Sequence, residues 1–163
     1  MRSGDERDAV TGAASCAAVL LTCRPDDAIA LETRTQAFHL RTQADEVLAH
    51  EPSRAAELLT AALQLRPELH TARLSRAAAR LATRELDGAL LDAEQVGSAP
   101  DAPTKLRARA HLAAAGVHLA RNDALRAQKA CTAAAAVDAS ILRSKDYNLL
   151  VREVATALAA AAQ

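Results

Sequence analysis

Lys105 and Arg109 stand four residues apart in a stretch that reads as a helix, so both side chains project from one face. Two cations on a rigid wall can hold a carboxylate pair, each charge-assisted hydrogen bond being worth roughly 1.5–3 kcal/mol. Charge at this spacing is also common on solvated helix faces, so the pair needs a groove around it to mean anything. Other reactive side chains are less well arranged. His111 and His118 lie seven apart, whereas metal ligation on a helix usually uses i, i+4 and a third ligand. Cys16, Cys23 and Cys131 lack C-x-x-C spacing and are odd in number, which argues against a disulfide framework or a zinc site. No Gly-rich phosphate loop or H-E-x-x-H stretch is present, and no nucleophile has a base at a recognisable spacing. The chain is therefore expected to be neither an enzyme nor a holder of a metal or other cofactor, and no small-molecule substrate is expected.

The elements that must position these residues follow from composition. Half of the 163 residues are hydrophobic, yet the aromatics are only Phe38 and Tyr147, so alanine and leucine must build the core. That composition favours closely packed helices over a sheet. Five Gly and five Pro leave little room for long loops. Lys plus Arg and Asp plus Glu are 20 each, so the net charge is zero. A general nucleic-acid or anionic-membrane binder usually carries a basic excess. Arg107, Arg109, Arg121 and Arg126 could touch RNA, but the aromatic stacking platforms are missing. The apolar run from Ala13 to Cys23 is too short for a membrane span; Asp5, Glu6 and Asp8 make a poor secretory leader and weaken a mitochondrial one, which the Arg, Ala and Ser content leaves open. A cytoplasmic protein is the expectation, and the cysteine usage suits a reducing compartment.

A repeated pattern organises the rest. Ala55, Ala89 and Ala127 each open the same pattern, followed at four positions by Leu59, Ala93 and Cys131 and at seven by Ala62, Val96 and Ala134. Twelve positions on stand Pro67, Asp101 and Ala139. Intervals of 34 and 38 residues predict stacked two-helix hairpins. The expected first hairpin pairs a helix over about 35–49 with one over about 54–66, Ser53 capping the second. The next pairs 69–83 with 86–96, and the third pairs 104–120 with a helix ending near Asp138. The four extra residues of the longer interval equal one helical turn and most simply lengthen helix 104–120. A last helix over about 141–161 reads as the terminal cap of a stack. The division is thus an N-terminal extension over 1–34, three repeats over 35–68, 69–103 and 104–140, and a cap over 141–163. The extension holds a short apolar helix over Asp8–Cys23 and reads either as a flexible tail or as a segment packed on the first repeat. Arg24-Pro25-Asp26-Asp27 reads as a stop followed by a turn or N-cap. A core so poor in aromatics suggests modest stability in isolation.

With Ala55, Leu59, Ala62, Pro67 and their two echoes, residues 36–139 resemble the tetratricopeptide repeat family, with most of its usual Gly and aromatic positions missing. The resemblance implies a right-handed α-α superhelix of three hairpins with a concave binding groove. It is closest to the three-repeat domains of heat-shock co-chaperones. Ser75-Arg76-Ala77-Ala78-Ala79 resembles their Asn-Arg-Ala-Ala stretch, and Ala89-Leu90-Leu91-Asp92-Ala93 their Ala-Leu-x-Asp-Ala. Arg41-Thr42-Gln43-Ala44-Asp45 is similar to their Lys-x-x-Gly-Asn, and Lys105 with Arg109 to their Lys-x-x-x-Arg. Those family positions form a clamp for the terminal carboxylates of a Glu-Glu-Val-Asp chaperone tail. The resemblance therefore implies a peptide site of Lys105, Arg109, Arg41, Ser75 and Arg76. Two departures stand against an unchanged clamp: Ser75 replaces an Asn, and Asp45 puts a carboxylate where the family has an amide. A gapless register for the first helix places Leu40 and Ala44 at the two sites instead of Arg41 and Asp45. The expected function is a protein–protein adaptor, co-chaperone-like, with a peptide in its groove. The alternative is a scaffold subunit of a larger assembly with an empty groove.

Overall fold

The structure is a computed structural model that describes residues 25–161, and every regular element among them is helical. In chain order these are α1 (Pro25–Val47), α2 (Pro52–Leu65), α3 (His70–Ala82), α4 (Leu86–Ser98), α5 (Thr104–Ala120), α6 (Ala124–Val137), a 3-10 turn (Ala139–Arg143) and α7 (Lys145–Ala161). Connections of three to five residues between α1 and α6 leave each helix beside the one before it. The most extensive packing between non-consecutive helices joins α3 to α5 and α5 to α7.

The repeated positions explain this packing. Ala55, Leu59 and Ala62, with Ala89, Ala93, Val96 and Ala127, Cys131, Ala134, are all between 0 and 4% exposed. Their i, i+4, i+7 spacing puts each trio on one stripe of α2, α4 or α6. Small residues dominate both sides of these contacts: Ala72, Ala77 and Ala79 on α3, and Ala108, Ala110, Ala114 and Ala115 on α5. The core is consequently not one mass but three successive clusters, centred on Leu59 and Leu63, on Ala77 and Ala93, and on Cys131 and Val154.

Two of the turns are built alike. After α3 the N–H of Glu85 donates to Arg80 O (2.8 Å) and that of Arg84 to Leu81 O (3.2 Å). After α5, Asp123 donates to His118 O (2.9 Å) and Asn122 to Leu119 O (2.9 Å). Both are Schellman ends, and both put a non-glycine residue in the left-handed region, Arg84 at φ 66° and Asn122 at φ 60°. The α1–α2 turn differs: His50 and Glu51 both donate to Val47 O, and Pro52 opens α2. Asp123 caps α6 by accepting from Arg126 N–H.

Several boundaries correct the sequence-based expectation. Helix α1 begins at Pro25, ten residues before the expected start, and so runs across the expected 34/35 boundary. A proline is pre-organised for a first helical turn, and Asp26 and Asp27 there complement the helix dipole. Pro25, Asp26 and Asp27 therefore lie within the helix and do not form a turn before it. Ser53 is not the cap of α2: Glu51 holds that position and Ser53 lies inside the helix. Helix α4 continues to Ser98, and the last helix begins at Lys145, with Ile141 buried in the 3-10 turn before it. Helix α5 has 17 residues against 13 in α3, so the longer repeat interval does extend this helix by about one turn. The apolar stretch Asp8–Cys23 and the cysteines Cys16 and Cys23 lie outside the described residues. None of the described helices is long and apolar enough to cross a membrane.

Candidate functional site

Helix α5 leaves Lys105 and Arg109 exposed on one stripe, while alanines at 108 and 115 on one flank and at 110 and 114 on the far side are buried. Both cations are exposed and neither has an ion-pair partner among the described residues. They line an open-sided cleft of about 490 Å³ between α3, α5 and the start of α7. Leu106, Leu112 and Ile141 give it an apolar floor, and Thr71 enters from α3. The Thr71 hydroxyl oxygen is buried and has no hydrogen-bond partner among the described residues.

The far wall is acidic. Asp138 closes α6 and accepts a hydrogen bond from Ser140 N–H at 2.9 Å. The Ser140 hydroxyl and N–H, and more weakly the charge of Lys105, hold its carboxyl below the usual range. Asp146 lines the same cleft from the first turn of α7. The rim thus carries two positive and two negative groups.

Arg41 and Ser75 lie together but apart from this cleft. Ser75 Oγ donates to Asp45 Oδ1 at 3.0 Å across α1 and α3, and Arg41 Nε approaches Asp45 Oδ2 at 3.9 Å. On α1, Ala44 is fully buried, while Asp45 reaches across to α3. Asp45 thus bonds to Ser75 and stands near Arg41, the two side chains that the family resemblance assigned to a ligand, and Arg41 Nε has no hydrogen-bond partner among the described residues.

Arg76 requires a correction, because it is not a groove residue. One residue along a helix is about 100° around its axis, so Arg76 turns away from Ser75 and toward α4. Its Nε and Nη2 donate to Asp92 Oδ2 (2.8 Å) and Oδ1 (2.7 Å). Arg80 Nη1 donates to the same Oδ2 at 2.7 Å. Asp92 is 1% exposed, so this Arg–Asp–Arg group is a buried structural brace between α3 and α4. Gly88 permits it: a Cβ there would stand 3.2 Å from Arg80 Cδ and Nη1. Sequence reasoning passed over Asp92 although a signal existed. It occupies the i+3 position of the buried Ala89, Ala93, Val96 stripe, where the equivalent residues are Leu58 and Ala130.

Among the described residues, the other reactive groups singled out in the sequence, His111, His118 and Cys131, are buried or half-buried. His111 packs beside Gly97, and burial, aided by the Arg107 charge, lowers its pKa from the usual 6.5. Burial also lowers His118. The two rings belong to no group of three or more potential metal ligands among the described residues. Cys131 is a free thiol inside the α5–α6–α7 cluster, and burial pushes its pKa up, away from a reactive thiolate. The chain matches no protein-family model and no curated protein.

Proposed function

We propose that this protein is a non-enzymatic interaction module, a short array of tetratricopeptide-like hairpins in a superhelical stack, which holds a peptide segment of a protein partner in the cleft between α3, α5 and α7. One observation carries the reading: Lys105 and Arg109 stand exposed and without ion-pair partners on an open-sided cleft with an apolar floor. A volume of about 490 Å³ is in the range of small binding sites, and the open side suits a chain that enters and leaves. The stacking of three helix pairs, with successive first helices α3 and α5 in contact, is what a curved wall of this kind requires. An adaptor role, co-chaperone-like in kind, follows from such a wall. Cytoplasmic residence goes with it, and the free buried Cys131 is compatible with a reducing compartment.

Selection of peptides from a random library on the wild-type protein, then on the Lys105→Glu, Arg109→Glu double variant, tests this. Selected peptides should lose about tenfold or more in affinity on the double variant. An empty selection, or peptides that bind both proteins equally, would refute the module. A Glu-Glu-Val-Asp peptide, free and amidated, tests the chaperone-tail version separately: that version requires binding that is lost on amidation.

A second reading has its own observation. A surface groove of about 690 Å³ runs between α6 and α7, lined by Leu119, Leu125, Ala157 and Leu158, and Leu125 is 65% exposed. An apolar surface of this kind suits a scaffold subunit joined to an assembly at its C-terminal end. Loss of a co-purifying partner on Leu125→Glu, with retention on the cleft variant, would favour it.

A further inference from the structure

Resting on the peptide-module reading, we infer that the cleft takes an internal partner segment carrying one acidic and one basic residue around an apolar one, and not a doubly acidic chain end. The two sides of the cleft differ in sign. On the α5 side stand Lys105 and Arg109; on the other stand Asp138 and Asp146, all four lining one cavity. Asp138 is partly satisfied by the Ser140 N–H, but Asp146 has no ion-pair or hydrogen-bonding side-chain partner among the described residues. A segment with two carboxylates gains at α5 and is repelled at the start of α7. A segment with one charge of each sign is complementary to both walls, which is how charged rims set specificity.

Two more features point the same way. Asp45 accepts from Ser75 and stands 3.9 Å from Arg41 Nε, so a carboxylate already faces the two side chains of α1 and α3 that would have to hold a second carboxylate. Between the charged walls, Leu106, Leu112 and Ile141 form a floor that an apolar side chain covers, and an internal segment carries such a side chain between its charged residues. A free terminal carboxylate would add a further negative charge to a cleft whose own formal charges balance.

The test sorts a random library of dodecapeptides, acetylated and amidated so that no terminal charge remains, on the full-length protein. The selected peptides should be enriched in sequences with one acidic and one basic residue flanking an apolar one. Asp146→Lys should weaken these about tenfold and turn the selection toward doubly acidic sequences. Asp146→Asn, the milder variant, should shift it in the same direction, and the helical circular dichroism of both variants certifies their folding. If doubly acidic peptides dominate on the wild type, or neither Asp146 variant alters the selection while Lys105→Glu abolishes binding, the charge inference fails and the peptide module stands. A selection indifferent to Lys105, Arg109 and Asp146 alike would remove both.

Discussion

Asp92→Ala should be among the most damaging single changes in this molecule, and the structure allows its cost to be worked out. Its carboxylate accepts three charge-assisted bonds, two from Arg76 at 2.8 and 2.7 Å and one from Arg80 at 2.7 Å. Simple addition at roughly 1.5–3 kcal/mol each would give about 4.5–9 kcal/mol, but bonds to one acceptor are not additive. The better guide is removal of one partner from a buried ion pair, which costs roughly 3–5 kcal/mol because the other charge is stranded. The Arg76 and Arg80 side chains are 16% and 23% exposed, so water relieves them in part. We therefore expect about 3 kcal/mol, the lower end of that range. For a chain of this length that corresponds to a melting temperature lower by about 10 °C. Urea unfolding followed by helical circular dichroism measures it, with an unchanged m-value as the sign that only stability has moved. Replacing the whole group, Asp92→Leu with Arg76→Met and Arg80→Met, should leave the protein closer to wild type than Asp92→Ala does, because no uncompensated charge remains. A loss below about 1 kcal/mol for Asp92→Ala would place the pair in the class of solvent-screened surface bridges and refute the argument.

Three further outcomes follow from the same coordinates. Gly116 lies inside α5, and a Cβ there would meet Leu81 Cδ2 at an ordinary 3.5 Å, so Gly116→Ala should stabilise by about 1 kcal/mol in urea titrations. Gly97→Ala should gain clearly less, because its Cβ would come within 3.1 Å of His111 Cε1. Arg84 sits at φ 66° in the turn after α3, and Arg84→Gly should raise the urea midpoint by the equivalent of about 1 kcal/mol; a lower midpoint would contradict the Schellman geometry. Burial lowers His111 below 6.5 in the folded protein, so between the folded value and 6.5 the unfolded chain binds more protons. Its contribution to stability is full above 6.5 and is lost as the pH falls through the folded value. Urea midpoints should therefore fall between pH 7.5 and pH 5, His111→Gln should flatten part of that fall, and an unaltered slope would exclude His111 as its source.

How far the sequence disclosed this molecule depends on what each signal measures. The trios opened by Ala55, Ala89 and Ala127 are legible because burial of one stripe is a local demand that repeats with the helix period. The length of α5 was legible for a related reason, since four extra residues between two buried stripes must be absorbed as a whole turn. Termini were less so. Pro25 is compatible with a stop and with a first helical turn, and only the tertiary contacts of the following helix decide between them. Ser53 has the right chemistry for a cap, yet Pro52 takes the first helical position and moves the cap back to Glu51.

The site shows the same division more sharply. That Lys105 and Arg109 share a face is a matter of helical arithmetic, and the structure puts both on one cleft. Arg76 was assigned by its neighbourhood in a motif, and adjacency in sequence is the wrong measure on a helix: Ser75 meets Asp45 of α1 while Arg76 meets Asp92 of α4. The acidic wall was out of reach for another reason. Asp138 and Asp146 belong to the end of α6 and the start of α7, and the 3-10 turn between them, anchored by buried Ile141, brings both to a cleft whose cations come from α5. Nothing in the spacing of 33 and 37 residues from Lys105 and Arg109 specifies that meeting. A family resemblance points to the cations and is silent on the carboxylates, so the charge inferred for a ligand above rests on where this particular C-terminal helix packs. If α7 were packed one turn further along α5, the same sequence would present a different balance of charge, which is why the Asp146 variants discriminate more sharply than any change at Lys105.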